Sequence, residues 1–291
     1  MRAKAIVKIC ICGTIALVLA SMLVSLLALP RVLDWKIGDL SFHWIDDHGS
    51  DEGYTVGEAS VSGEVRELDV SWLSGSVTVE LTDGDAVTLR EEPQPESSDA
   101  RMRWKLQDGK LTVYSQKSGL TIPTRAKQLT IGIPAGRAGK LQKLSLDLSA
   151  ATASLPALTL RELELDSVSG SVTLTGGSYE NLDFDSTSGD LTVTDAAVGE
   201  LSADTTSGSL TLGGAFETID FDTTSGALHL TASALPRDIS CDTVSGGVTL
   251  TLPENGGFSA ALDSVSGDLT VDGFAGSLHR DEFVYGQGGP A

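Results

Sequence analysis

Basic charge, aromatic rings and cysteine are all scarce in this chain of 291 residues. Twenty Lys and Arg face forty Asp and Glu, for a formal net charge of −20. Coulomb repulsion from such a surface disfavours nucleic acid and anionic bilayers as partners. Aromatics make up 5% of the chain, whereas glycine supplies 32 residues, and Thr, Val, Leu and Ser are abundant. That mixture favours short strands and turns over helices. Of three cysteines, Cys10 and Cys12 fall in an apolar run and only Cys241 lies outside it, so no disulfide framework is available. A domain without bridges needs a sizeable core, which more than 200 residues can supply. Neither a phosphate loop nor a dinucleotide fingerprint is present, and the serines suggest no triad with the four histidines. "HWIDDH" (43–48) places two histidines around Asp46 and Asp47 but matches no established metal-ligand spacing.

The scarcity of basic residues is uneven. Residues 101–140 hold nine Lys or Arg against one acid, Asp108, whereas residues 141–291 hold four basic residues against 22 acids, a net of 4 − 22 = −18. The basic stretch reads first as solvated strand edges that discourage aggregation.

Only one long uncharged run is present. After Arg2, Lys4 and Lys8 the chain is apolar or small from Ile9 to Leu29, before Pro30. This is enough to cross a bilayer as a helix. The preceding positive charges predict a cytoplasmic N-terminus and an external remainder. The competing reading is a cleaved signal peptide; the run is longer than a usual apolar region of that kind, and no small-x-small cleavage site ends it. Residues 1–30 are accordingly expected to be a signal anchor, a single-pass transmembrane helix, and residues 31–53 a juxtamembrane linker.

What the chain has in excess is a repeat. Asp166, Asp185, Asp204, Asp222, Asp242 and Asp263 each open a unit of the form Asp-(Ser/Thr)-x-Ser-Gly-x-(Val/Leu)-x-(Leu/Val), at spacings of 19, 19, 18, 20 and 21. A degenerate copy, "LSLDLSAATASL", puts Asp147 another 19 residues upstream. Alternating apolar residues flank the motif on both sides, as in strands with one buried face. Leu165 and Val172 are seven apart, so one unbroken strand would aim them at opposite faces. The chain must therefore bend within "DSVSG". The glycines Gly170, Gly189, Gly208, Gly226, Gly246 and Gly267 suit that corner, because glycine tolerates close backbone approach and positive φ. Asp and Ser can close it by bonding nearby N–H groups.

A unit of about 19 residues cannot bury its own apolar face, but stacked units can. The fold class this predicts is all-β: a parallel β-solenoid of about 19-residue coils following the N-terminal transmembrane helix. A β-propeller would need about 40 residues per blade. Residues 54–140 read as irregular N-terminal coils and cap, with Ser74-Gly75 of "LDVSWLSGSVTVEL" standing where the repeat has Ser-Gly. Residues 141–273 are the regular repeats and 274–291 a C-terminal cap or tail. Cys241 aligns with inward positions and reads as a small buried apolar residue, whereas His229 replaces an outward threonine.

Stacked in register, the six repeat aspartates form a ladder with rungs about 4.8 Å apart. Such a ladder could ligate calcium, or supply paired carboxylates for a polysaccharide hydrolase or lyase. However, catalytic carboxylates are normally one differentiated pair, and here every coil repeats the same acid. The bland reading, an acid fixing a coil corner, is preferred; no catalytic residue, cofactor or metal is assigned.

The repeated "D-[ST]-x-SG-x-[VL]-T-[LV]", with "LTIGIP" and "LDVSWLSGSVTVE" before it, resembles the bacterial "putative adhesin" β-solenoid family, a domain of unknown function, over about residues 54–285. The resemblance implies a parallel β-solenoid at the bacterial cell surface and carries over no catalytic residues. It implies a single-pass protein of the bacterial cell membrane with its C-terminal domain extracellular. The expected function is non-enzymatic adhesion or cell-envelope binding, and the partner a cell-envelope polymer or a membrane protein. Some relatives are similar to antibiotic-sensing surface proteins, so a regulator of the envelope stress response is the alternative. The chain departs from those relatives in having no obvious N-terminal regulatory domain.

Overall fold

The computed structural model describes residues 51–118 and 126–254, together with the strands and a few flanking residues between 257 and 286. The expected anchor, most of the linker, the 43–48 cluster and Gly267 lie outside the described residues. Among those described, no helix is long and apolar enough to cross a membrane. Every described residue belongs to His43–Ala291, one of two units into which the chain divides.

The repeats form the expected coils. In one coil, β9 (Thr159–Ser167) leads through the Ser-Gly corner into β10 (Val172–Thr175), and β11 (Ser178–Ser186) begins the next. β11 then leads into β12 (Leu191–Thr205), which runs unbroken through the following link, as does β13 (Leu210–Thr223). β14 (Leu228–Ala232), β15 (Asp238–Thr243) and β16 (Val248–Thr251) continue the stack. All these pairings are parallel and join equivalent residues: Leu163, Leu182, Leu201, Ile219 and Ile239 stand in one column. Val172, Leu191, Leu210, Leu228 and Val248 stand in another. Side chains alternate in and out along each strand, so the inward columns merge into one continuous core. Leu165, Phe184, Ala203, Phe221 and Cys241 share an inward column. Each phenylalanine there has a smaller neighbour above and below, which fills the interior at the density cores require. Burial pushes the Cys241 thiol up to about 12, so it is an inert apolar filler, as expected.

The N-terminal half holds a rearrangement that sequence order conceals. The first full coil is β3 (Glu67–Thr82), a single strand that continues through Gly75. Next in sequence come β4 (Val87–Glu92), β5 (Arg103–Gln107), β6 (Lys110–Tyr114) and β7 (Lys127–Pro134). β6 and β7 pair parallel with the two halves of β3 along one edge. After the short helix α1 (Ala135–Ala138), β8 (Lys143–Leu155) pairs parallel along the other edge. The coil made later in the chain thus lies outside the one made earlier, and β3 is enclosed between neighbours.

That outermost coil is closed by antiparallel strands. β5 covers β6 and β4 covers β7, while β1 (Thr55–Val56) and β2 (Ala59–Val61) cover β5 and β4 in turn. The parallel edge, a ready template for pairing with another chain, is thereby occupied. Asp51, placed by the sequence in the linker, already touches this cap, 3.5 Å from the Arg103 guanidinium.

Past 254, β18 (Asp263–Ser264) and β19 (Leu269–Asp272) extend the parallel stack. β17 (Gly257–Ala261) instead pairs antiparallel with β21 (Glu282–Gly286), alongside β20 (Ser277–His279). The last repeat therefore contributes one strand, β17, to the C-terminal sheet.

Candidate functional site

The solenoid has three outward sides, and each carries different chemistry. The Ser-Gly corners join two of them, and their construction explains the motif. In register stand Asp147, Asp166, Asp185, Asp204, Asp222, Asp242 and Asp263, so the predicted ladder forms. The residue after the aspartate points inward, and in four coils its hydroxyl closes the corner. The Ser167 hydroxyl accepts from Gly170 N–H at 2.8 Å, Ser186 from Gly189 N–H at 2.6 Å, and Thr223 from Gly226 N–H at 2.8 Å. Thr205 donates to the Gly208 carbonyl at 3.0 Å. The sequence reading gave this task to Asp and Ser jointly; the geometry places it on the Ser or Thr of the second motif position. Replacing Thr223 by the isosteric valine leaves the buried Gly226 N–H unmet, and should cost about 1–3 kcal/mol in a denaturant melt.

The corner glycines follow from close approach rather than from positive φ. A β-carbon on Gly170 would lie 1.5 Å from the Ala151 carbonyl oxygen, and one on Gly246 1.9 Å from that of Gly226. Each coil's glycine thus accepts the backbone of the coil before it. Gly75, aligned with Ala151, occupies the same column, as its sequence suggested, but unlike the others it has a positive φ of 107°.

On the first side, β9, β11 and their equivalents display acids in three adjacent columns. Beside the Asp ladder run Glu164, Asp183 and Asp220, and then Glu162, Glu200 and Asp238, interrupted by Asn, Ser and Thr. Lys143 answers part of this charge, 2.6 Å from Glu164 and 3.2 Å from Glu162. Its hydrogen bond holds the Glu164 carboxyl below the usual range. Partial burial, reinforced by Asp185, Glu164 and Asp183, raises Asp166. Burial followed by Glu164 and Asp185 raises Asp183, and burial raises Asp185.

These three carboxyls hold protons more tightly folded than unfolded. They therefore lower stability once ionised, and the loss is recovered as pH falls through their raised native values toward the ordinary Asp range near ~3.9. Glu164 acts oppositely, since its stabilisation is lost as pH falls through its depressed value. With three groups against one, the melting temperature at low salt should rise as pH falls from 7 through the raised native values of these three carboxyls. Added salt at pH 7 should raise it too, by screening the exposed repulsion. A fall in both titrations would refute this account of the acidic side. Among the described residues, no three His, Cys, Asp or Glu converge as a metal-holding group.

The second side, built on β10 and its equivalents, is an array of hydroxyls. Thr78, Ser154, Thr173, Thr192, Thr211, His229, Thr249 and Thr270 align in one column. A second column contains the pairs Thr175–Thr194 and Thr231–Thr251. His229 is exposed, as its outward register predicts. At the column's rim the side chains extend the ladder, with Asp190 accepting from Ser209 N–H at 2.9 Å.

The third side, made by the links, escaped sequence reasoning. Leu160, Tyr179, Val198 and Phe216 turn inward in register. Thr159, Ser178, Ala197 and Ala215 face out one position earlier. Small outward residues over this buried row leave a groove of about 930 Å³ reaching Ala234 and Leu235. Leu141 also lines a second cavity of about 280 Å³, together with Arg137, Lys140 and Glu64. The signal was small residues recurring in the links at nearly the coil spacing.

The model of a family described as Toastrack DUF4097 matches residues 65–291. A "putative adhesin" crystal structure from Bacteroides fragilis is 13% identical, with a TM-score of 0.50 over 76% of this chain and 95% of that one. A "putative lipid binding protein" from Parabacteroides distasonis is 16% identical, with a TM-score of 0.47 over 76% and 95%. A "putative adhesin" from the same species is 13% identical, with a TM-score of 0.45 over 75% and 96%. No curated protein matches the chain.

Proposed function

The chain belongs to the Toastrack DUF4097 family, and from that premise we propose that it is a non-enzymatic binding module of the bacterial cell envelope. Anchored in the membrane by residues 1–30, it would present the solenoid outside the cell and engage a repetitive neutral polymer, such as a cell-wall glycan, through the hydroxyl side. The observation that carries this reading is the Thr173–Thr192–Thr211 column, continued through His229 to Thr249 and Thr270. One side chain per coil, repeated about every 4.8 Å, offers a polymer the same hydrogen-bonding partner at each step. Serial weak contacts of this kind gain strength by holding one ligand at many points. Catalysis would instead need one coil to differ from its neighbours, and the aspartate ladder offers the same acid throughout.

The full chain, reconstituted in vesicles, should co-sediment with purified cell walls. The double variant Thr192→Glu/Thr211→Glu, which places charge in the centre of the array, should weaken that binding at least about tenfold, or ~1.4 kcal/mol. Co-sedimentation unaffected by the variant would move the site elsewhere. Capture of a membrane sensor protein from intact cells, with no affinity for walls, would replace adhesion by envelope stress-response regulation.

A further inference from the structure

We propose that the link-side groove binds an anionic lipid, with one acyl chain lying along the solenoid axis and the headgroup phosphate held by Arg137 and Lys140. This site is separate from the hydroxyl side and does not depend on the polymer reading.

Leu141 lines both the cavity holding Arg137 and Lys140 and the groove, so a basic mouth adjoins a long shallow trough. In a chain of net charge −20 such a mouth is a departure, and it complements a phosphate. Lys140 is exposed, while Arg137 is oriented by a 3.0 Å bond to the Ser62 carbonyl. Glu64 also lines this cavity and disfavours a headgroup carrying more than one anion.

The trough itself suits a chain without polar groups. Its floor N–H groups are committed to neighbouring coils: Arg161 to the Gln142 carbonyl, Ser178 to Leu158, Ala197 to Gly177 and Arg237 to Glu217. Ala197 and Ala215 present only methyl groups above that floor, so a slender ligand can lie against it. Arg161 and Glu180 on the rim approach each other to 3.9 Å, which leaves little net charge to attract an ion there. At the far end Leu235, a large apolar side chain, is 44% exposed. From the coil of Leu160 to that of Leu235 is four coil steps, about 19 Å, a length suited to a common extended acyl chain. Gln142, Thr159, Ser178 and Glu217 also line the trough, so its apolar stretch is the part beside Ala197, Ala215 and Leu235, and anionic ligands are repelled from the acidic side.

The test uses the full chain with vesicles containing phosphatidylglycerol that carries a photoactivatable acyl chain, with labelled peptides mapped by mass spectrometry. Label is expected on peptides covering residues 197–217 and 234–237. Ala215→Trp fills the trough and should reduce that label at least about tenfold without lowering the melting temperature. Ala234→Trp, in a turn beyond the strands, does the same if the first variant is unstable. Arg137→Glu/Lys140→Glu should abolish the preference for phosphatidylglycerol over phosphatidylcholine. Label confined to residues 1–50, spread evenly over the three sides, or indifferent to both the filling and the charge-reversal variants overturns the proposal.

Discussion

Gly208→Ala should unfold the solenoid at temperatures where the wild-type chain is intact, at a cost of about 3 kcal/mol or more. An added β-carbon would stand 2.1 Å from the Gly189 carbonyl oxygen, well inside contact distance. That oxygen belongs to the neighbouring coil's backbone, so relief requires two coils to separate. Separation would stretch the ladder on both sides of the corner, where Ser207 N–H bonds the Thr187 carbonyl at 3.0 Å. Gly226→Ala meets the same obstacle at 1.9 Å from the Gly208 oxygen. The control is Gly136→Ala in α1, where nothing lies within 4 Å. There, alanine removes backbone entropy from the unfolded chain and should be neutral or stabilising by up to ~1 kcal/mol. Thermal melts of the three variants separate the explanations. If Gly208→Ala and Gly136→Ala behave alike, the corner glycine is a matter of propensity and the stacking account fails.

The difference between these glycines marks what could be read from the residues alone. The repeat made the coils, their register and the inward columns legible, because each depends on spacing and on alternation of apolar side chains. Cys241 aligns with inward positions on that basis, and it shares an interior column with Leu165, Phe184, Ala203 and Phe221. The corner was legible in place but not in mechanism. A recurring Ser-Gly is equally compatible with positive φ and with close approach, and only the neighbouring carbonyl decides between them.

Where the repeat decays, pattern lost its power. β6 and β7 carry ordinary strand sequences, and nothing local says that they pair outside β3 while β8 pairs inside it. That choice is made by long-range burial, with Leu111 against Leu68 and Leu129 against Val77. The groove went unread for a related reason. Its links differ in length and wording, so their small outward residues align only when the coils are stacked.

The basic stretch 101–140 also conceals its most consequential residue. Lys127, which as sequence is one of nine solvated cations, is 2% exposed, and its ammonium lies 2.6 Å from the carboxylate of Glu91, which is fully buried. The same ammonium donates to the Ala100 carbonyl at 2.8 Å and to that of Ser115, and it stands 5.1 Å from the centre of the Trp72 ring. Trp72 in turn donates from Nε1 to the Lys127 carbonyl at 3.1 Å, and both Glu91 oxygens accept from Met102 N–H at 3.1 Å. The pair thus ties β4, β7 and β3 to the segment entering β5, where the N-terminal cap closes over the parallel coils.

Breaking such a pair from one side leaves an uncompensated charge in the interior. Lys127→Met and Glu91→Gln should each therefore cost about 3–5 kcal/mol. The double variant removes both charges and should be less damaging than the sum, with a coupling of about 2 kcal/mol or more. It will not be neutral, because Met102 N–H and the Ala100 and Ser115 carbonyls lose charged partners. A double-mutant cycle from denaturant melts of the full chain measures this directly. Additivity within ~0.5 kcal/mol would mean that the two side chains act independently. Strong coupling would make this buried pair a clamp that holds the antiparallel cap onto the first parallel coils, where the repeat no longer provides register.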